Sequence, residues 1–156
     1  MINKVKILII VLFTINLNAQ TINEILGTIY TVDDGAGGTT GYYTGNSITS
    51  GDFNTLIGDG AGSELSTGSQ NSFFGTGAGA NATNSSENTF IVFQSGFFNT
   101  TDVDNTFVGF RTGYFNDDSD GTFIGHGAGF NNTTGNDNTF VGEAAGREVT
   151  TGGDPL

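Results

Sequence analysis

The chain has 156 residues, of which 26 are glycine, 14 are phenylalanine and none is cysteine, and its formal net charge at pH 7 is −12. Without cysteine it has no disulfides, thiolate metal sites or thiol-linked lipid anchors. The acidic charge disfavours nucleic acid and anionic membrane surfaces as partners. A disordered tail would not contain so many aromatic residues, so we expect an ordered fold of unusual composition.

The first 19 residues have the pattern of a secretory signal peptide. Lys4 and Lys6 precede an apolar run over residues 7–13, and Ala19 stands before Gln20. This run is much shorter than the roughly 20 residues that span a bilayer, which favours cleavage near Ala19 over a retained anchor. We predict a mature chain that is secreted or displayed on the outer cell surface and is not inserted in a membrane. It has two arginines against 16 carboxylates, a formal charge of −14.

Residues 20–36 contain no detectable repeat. Their apolar residues are spaced as on one face of a helix: Ile22, Ile25, Leu26 and Ile29. A stack of coils exposes an unpaired strand edge at its end and needs a cap there. We therefore interpret residues 20–36 as the N-terminal cap of the array that follows.

Residues 37–154 form a tandem array of about seven units with a period of 17 residues. The unit is N-T-F-[IV]-G-x-x-[AST]-G followed by a polar tail, and we number its positions from the asparagine. Units begin at Asn54, Asn71, Asn88, Asn105, Gly121 and Asn138, after a degenerate copy that begins at Gly37. The unit at Asn105 has 16 residues. Residues 155–156 are a short tail or mark a truncation point.

The unit predicts short strands joined by tight corners. Glycine density and β-branched residues disfavour helix and favour strand. One unit cannot bury its own phenylalanine, whereas stacked units pair their backbones at about 4.8 Å and align identical side chains in ladders. We therefore predict an all-β fold, a parallel β-solenoid of about seven 17-residue coils. The position-nine glycines suit its corners: Gly45, Gly62, Gly79, Gly96, Gly113, Gly129 and Gly146.

Two adjacent apolar columns run through the array. Position three supplies the predicted core column: Leu56, Phe73, Phe90, Phe107, Phe123 and Phe140. Core packing is favoured over a carbohydrate-binding aromatic strip, because aromatic columns inside a solenoid provide most of its buried area. Position four supplies Ile57, Phe74, Ile91, Val108, Ile124 and Val141. Adjacent residues of a strand point to opposite faces, so this second column needs a partner, and we expect a homotrimer.

The N-[ST]-x-x-G-x-x-[AS] rhythm of residues 37–154 resembles the head repeats of YadA-like trimeric autotransporter adhesins. It also resembles the Asn-Thr-Phe-Val-Gly repeat proteins of bacterial surfaces and phage tail fibres. The resemblance implies a left-handed parallel β-roll, three chains packed together, and an adhesive role. The coils here are longer than those of the family, and the stalk and membrane anchor that follow such heads are not present in the 156 residues.

These features predict an exported structural or adhesive module of a bacterial surface or fibre, without catalysis. Whether its ligand is on a host, a matrix or a glycan is left open. The single histidine, His126, occupies the variable sixth position, and no acid and nucleophile pair can be assigned around it, so we predict a surface residue. The segments Gly58-Asp-Gly60 and Gly125-His-Gly127 lack the βαβ context of a dinucleotide site and are interpreted as structural. No catalytic or cofactor residue is assigned.

Two further binding hypotheses stay open. Aspartates in the polar tails are weak candidates for Ca²⁺ ligands, although acids also favour turns for backbone reasons: Asp102, Asp104, Asp117, Asp118 and Asp120. A position-two hydroxyl column is a candidate for binding ice or a glycan: Thr55, Ser72, Thr89, Thr106, Thr122 and Thr139. Against the second hypothesis, the neighbouring fourth position is apolar and expected to be buried.

Overall fold

A computed structural model describes residues 44–133 and 135–150, together with the backbone of Ile29–Tyr30. These residues form a parallel β-solenoid in which short strands stack in chain order in a single sheet, and none of them is helical. The predicted signal peptide, most of the predicted cap and residues 151–156 lie outside the described residues. The predicted all-β solenoid is confirmed.

The sheet consists of a two-residue strand followed by six three-residue strands. Their bounds are β1 Ile29–Tyr30, β2 Thr55–Ile57, β3 Ser72–Phe74, β4 Thr89–Ile91, β5 Thr106–Val108, β6 Thr122–Ile124 and β7 Thr139–Val141. Each repeat strand covers positions two to four of its unit and is bounded by asparagine or glycine before it and by position five after it. The β-branched and aromatic residues of the unit thus form strand, as their propensities predict.

Equivalent positions of successive units lie directly above one another. Phe73 pairs with Phe90, and Phe107 still pairs with Phe123 across the 16-residue unit, so the missing residue is absorbed in the tail. Backbone hydrogen bonds between neighbouring coils continue beyond the strands, as from the Gly62 amide to the Ala78 carbonyl at 2.9 Å. The coils are therefore joined along most of their path.

Strand β1 comes from the predicted cap and not from the degenerate first repeat. Ile29 pairs in parallel with Thr55, where a strict 17-residue register would have placed residue 38. Ile29, one of the residues whose spacing indicated a helical face, therefore lies in a strand. The degenerate unit keeps the repeat register further along, since the Gly45 amide donates to the Ala61 carbonyl at 3.0 Å.

The position-three column fills the interior, as predicted. Its members from Leu56 to Phe123 are fully buried, and Phe140 in the last described coil is 8% exposed. The phenylalanine rings stack with centroids 4.6 to 5.0 Å apart and are nearly parallel up to Phe123. This spacing matches the distance between paired strands, so one backbone register both completes the hydrogen bonds and places the rings in contact.

The small residues at positions eight and nine leave room for these rings. Ala61, Ala78 and Ala128 at position eight are fully buried beside them. A Cβ at Gly113 would lie 2.5 Å from Cε2 of Phe107, closer than two carbon atoms can approach. Position nine also has positive φ in every described coil, +57° at Gly113. The predicted corner glycines are thus required by backbone conformation and by ring packing together.

A buried asparagine ladder at position one is the feature whose role the sequence did not reveal. The Asn71 backbone amide and Nδ2 both donate to Oδ1 of Asn54, at 3.0 and 2.9 Å, and Nδ2 also donates to the Ser85 carbonyl at 2.7 Å. Asn88 and Asn105 repeat the amide contact with the asparagine below. These side chains are at most 1% exposed, and the hydrogen bonds supply the partners that buried polar groups need.

Replacing Gly113 by valine tests the corner. The new side chain would overlap the Phe107 ring and would hold a β-branched residue at positive φ. We expect the free energy of unfolding to fall by about 3 kcal/mol or more, measured by chemical denaturation followed by circular dichroism. Thr101→Val places the same side chain at an exposed tail position and should change stability little. Equal stability of the two variants would contradict the corner assignment.

Candidate binding surfaces

The position-four side chains lie on the outside of the solenoid, opposite the core column. Phe74, Ile91, Ile124 and Val141 are 36 to 66% exposed, while Ile57 and Val108 are half-buried. Because in-register pairing aligns these residues, they form one continuous apolar column across six strands. We call this column, from Ile57 to Val141, the outer stripe.

The position-two hydroxyl column lies beside the outer stripe on the same outward face. From Thr55 to Thr122 its members are half-buried, and Thr139 is exposed. The expectation that the fourth position would be buried does not hold in the single chain, since the outer stripe is largely exposed. The outward face of the strands therefore presents threonine and aliphatic side chains together, spaced at the strand separation.

A second outer surface, which the sequence analysis did not identify, is aromatic. Positions six, ten and eleven of the middle coils hold eight aromatic or imidazole rings, which we call the aromatic face: Phe93, Phe110, His126, Phe97, Tyr114, Phe130, Phe98 and Phe115. Equivalent rings stack, as Phe97 does on Tyr114 at 5.2 Å and Tyr114 on Phe130 at 5.1 Å. Phe98 meets Tyr114 edge to face at 5.4 Å.

The aromatic face also contains both arginines of the described chain. The guanidinium carbon of Arg111 lies 5.3 Å from the Phe110 ring centroid and 5.5 Å from that of Tyr114. That of Arg147 lies 4.9 Å from the Phe130 centroid. His126 is exposed, as predicted, and stacks on Phe110 at 5.2 Å. These distances are within the range of cation–π attraction.

A cleft of about 230 Å³ opens on this face and is lined by Phe110, Arg111, His126, Gly127, Phe130 and Arg147. A second, shallow cleft of about 310 Å³ lies at the other end of the same face, beside Gln94, Phe97 and Phe98. Recurrence of aromatic pairs at the repeat spacing, Phe97-Phe98 and then Tyr114-Phe115, was the sequence signal for this surface. It was obscured because these positions vary between units.

The aspartates proposed as calcium ligands do not form a single cage. Asp104 and Asp120 are exposed at the last position of their units, with φ of 61° and 63°. That position has left-handed backbone in every described coil, including Gln70 and Glu87, so it serves the turn irrespective of charge. Within the described residues, no three carboxylate or imidazole groups come together in a way suited to a metal ion.

The remaining aspartates lie close enough to influence one another. Burial, followed by the charges of Asp117 and Asp118, raises the pKa of Asp102 to about 6. Asp102 accepts a hydrogen bond from Nδ2 of Asn99 at 3.2 Å. Burial also raises the pKa of Asp118, against the lowering effect of a hydrogen bond from the Ser119 amide. Burial and neighbouring negative charge therefore favour the protonated forms of Asp102 and Asp118.

The Gly-x-Gly segments belong to the corners, as predicted. Gly58 and Gly60 have φ of 127° and 67°, and Gly125 and Gly127 repeat these values closely. In the two coils that begin at Asn88 and Asn105, Gln94 and Arg111 occupy the position of the second glycine and also have positive φ. These segments therefore shape the turn between positions five and nine and are structural parts of the coil.

Comparison of the chain with protein-family models, with curated proteins and with solved structures finds no match. Across the part of the chain that the structure describes, no helix has the length and apolar character needed to cross a membrane. The outer stripe, the hydroxyl column and the aromatic face are the candidate binding surfaces of the described coils.

Asp102 gives the stability of the fold a defined pH dependence. Its pKa rises from 3.8 to about 6 on folding, so the folded chain binds the proton more tightly, and the free energy of unfolding should fall as pH rises from about 4 to 6. Asp102→Asn should raise that free energy by about 1 kcal/mol at neutral pH, allowing for solvent screening of this part-exposed group. The variant should also weaken the pH dependence, measured by chemical denaturation at each pH.

Asp52→Asn is the control for this substitution, because Asp52 is an exposed acid in an earlier coil. It removes the same single charge at a position outside the cluster of Asp102, Asp117 and Asp118, so it separates the effect of net charge from that of the Asp102 carboxyl. If the stability of Asp102→Asn depended on pH as steeply as that of the unmodified protein, the raised pKa of Asp102 in the folded state would be contradicted.

Proposed function

We propose that the chain is an exported, non-catalytic module of a bacterial surface or fibre, built as about seven left-handed coils and assembled as a homotrimer. In this proposal the signal sequence of residues 1–19 directs export, and the assembled solenoid adheres to its ligand through the outer surface. The resemblance of the repeat to YadA-like heads supports the handedness, the trimer and the adhesive role. The main structural support is the outer stripe.

The outer stripe supports assembly because it is apolar, continuous and exposed. Phe74, Ile91 and Ile124 lie along the same side of strands β3, β4 and β6, and each is more than a third exposed. We take the stripe to offer roughly 500 Å² of apolar surface, near the upper size found on soluble monomers. Burying half of it at about 25 cal/mol per Å² gives roughly 6 kcal/mol per chain before association costs.

The charge of the mature chain opposes assembly, but most of its described acids lie in the polar tails, and none lies in strands β2 to β7. Asp102, Asp117 and Asp118 are in the polar tails, while the stripe occupies the strands. Three stripes can therefore meet at an axis with the tails directed outward. A closed cyclic trimer removes each stripe from water without leaving an open end.

The mature chain should sediment as a trimer at micromolar concentration in analytical ultracentrifugation. Val108→Asp combined with Ile124→Asp places two charges on the stripe of each chain and should release monomers, because unpaired charges are costly to bury. Asn46→Asp combined with Asn136→Asp adds the same charge at exposed tail positions and should leave the trimer intact. A well-folded monomeric wild-type chain would overturn the trimer.

An ice- or glycan-binding role for the hydroxyl column is the alternative function, and one observation favours it. Thr89 and Thr106 stand beside Ile91 and Val108 on an outward sheet face whose aliphatic neighbours are not fully buried in the single chain. A regular, flat array of methyl and hydroxyl groups is the kind of surface that such binding requires. Assembly through the outer stripe would cover this face, so the two functions compete for the same surface.

Thermal hysteresis of the purified mature chain distinguishes the two. If the trimer is correct, hysteresis should be negligible at about 100 µM, because the hydroxyl column lies next to the covered stripe. Clear hysteresis that Thr106→Tyr abolishes, with Ser86→Thr as an exchange outside the column, would favour ice binding instead.

A further inference from the structure

The basic side chains of the described residues converge on one place. Residues 44–133 and 135–150 contain Arg111, Arg147 and His126 and no other basic side chain. All three line the 230 Å³ cleft of the aromatic face. In a mature chain with 16 carboxylates, this cleft is the place on the described surface where an anion meets positive charge at short range.

Arg111 is held in position by a side chain of the preceding coil. Its Nε donates to Oε1 of Gln94 in the preceding coil at 2.9 Å, and its guanidinium lies against Phe110 and Tyr114. This hydrogen bond uses Nε alone. The Nη groups supply further N–H donors in the fork geometry that suits a carboxylate.

Arg147 is positioned by the opposite wall of the cleft. Its guanidinium stacks on Phe130, and a Cβ at Gly127 would lie 3.1 Å from its Nη1. Gly127, at position seven of the preceding coil, therefore leaves the space that the guanidinium occupies. Its ion pair with Glu148 is long, 3.6 Å, and exposed, so it competes weakly for the guanidinium with an added carboxylate.

We propose that this cleft binds a carboxylate-bearing sugar unit, a hexuronate within an acidic glycan. The carboxylate would lie between the guanidinium groups of Arg111 and Arg147, and an apolar C–H face of the sugar would lie against the edges of Phe110 and Phe130. This inference rests on the proposed adhesive function, because it names the class of ligand that the adhesive surface would bind.

The size and charge of the cleft favour such a ligand. A volume of about 230 Å³ is below that of typical drug-sized pockets, roughly 300 to 1,000 Å³, and suits a single sugar unit. The cleft is open to solvent, so the rest of a glycan chain can leave it on either side. The strongly negative mature chain repels densely charged polyanions, whereas one carboxylate per sugar is matched by two guanidinium groups.

Binding can be measured by isothermal titration calorimetry of the full mature chain with tetragalacturonate. We expect saturable binding with millimolar or tighter affinity, and no binding of the fully methyl-esterified tetrasaccharide, which lacks the charge. Arg111→Gln and Arg147→Gln should each weaken binding about tenfold or more, since each removes charge-assisted hydrogen bonds to the carboxylate. Circular dichroism confirms that each variant is folded.

Asn84→Asp is the matched control for both arginine variants. It lowers the net charge by the same single unit at an exposed tail position, and its Oδ1 still accepts the hydrogen bond from Thr67. We expect unchanged binding. In NMR titrations of the wild-type chain, amide shifts should concentrate at Gly127, Phe130 and Arg147. This second measurement does not depend on the folding of a variant.

Failure of this inference can be separated from failure of the proposed function. If the wild-type chain does not bind tetragalacturonate, or if Asn84→Asp weakens binding as much as the arginine variants do, the cleft is not an acidic-sugar site. Neither outcome bears on the trimer, which the sedimentation experiment tests separately. If the arginine variants dissociate the oligomer while the wild type binds no sugar, the cleft is instead an interface between copies, and the inference is also overturned.

Discussion

The structure depends on the asparagine ladder at position one. The asparagines from Asn54 to Asn88 each accept, through Oδ1, a hydrogen bond from the backbone amide of the asparagine in the next coil. Their Nδ2 groups donate to tail carbonyls, as that of Asn54 does to Gly68 at 2.8 Å. One side chain thereby closes its own coil and fixes the register of the next. Aspartate would lack the Nδ2 donor, and a hydrophobic residue would leave buried amides and carbonyls unpaired. The ladder is interrupted at Gly121, where only the amide contact with Asn105 remains, and this glycine follows the 16-residue unit.

The rest of the interior follows from this fixed register. Once equivalent residues must lie above one another at the strand separation, the residue that fills the core has to pack well against a copy of itself. Phenylalanine does so through stacked rings, and the glycine and small residues at positions nine and eight accommodate the ring, as Gly96 does for Phe90. Val92 shows how firmly the backbone is held. It occupies position five with φ of 92°, a conformation that valine rarely adopts, because the coils on either side hold their glycines in the same corner.

The features that could be predicted from sequence are those that repeat with identical chemistry. The period placed the core column and the corner glycines because every unit has the same residue type there. The left-handed turn at position seventeen was not predictable, since Phe53, Gln70 and Glu87 share that backbone but no side-chain property. The role of Asn71 was hidden because asparagine beside a strand usually indicates a turn. The cleft was missed because Arg111, His126 and Arg147 come from three different units and from unlike positions, so only the stacked coils bring them together.

In the middle coils, the composition of an inner column and that of the outer surface change together. The inner position-twelve column is apolar at Ile48, Leu65 and Ala82, and then becomes buried asparagine at Asn99 and in the next two coils. Those same coils have aromatic residues at outer position ten, and the first two of them also have phenylalanine at position eleven. They bury less apolar volume inside and gain ring stacking outside, where each aromatic pair contributes roughly 0.5–1.5 kcal/mol beyond its buried area. The aromatic face is therefore part of the framework as well as a surface, and any ligand that binds there contacts rings already fixed by their neighbours. The ordering cost of binding is then small for the rings, which leaves the outer parts of the arginine side chains as the groups that adapt to a ligand.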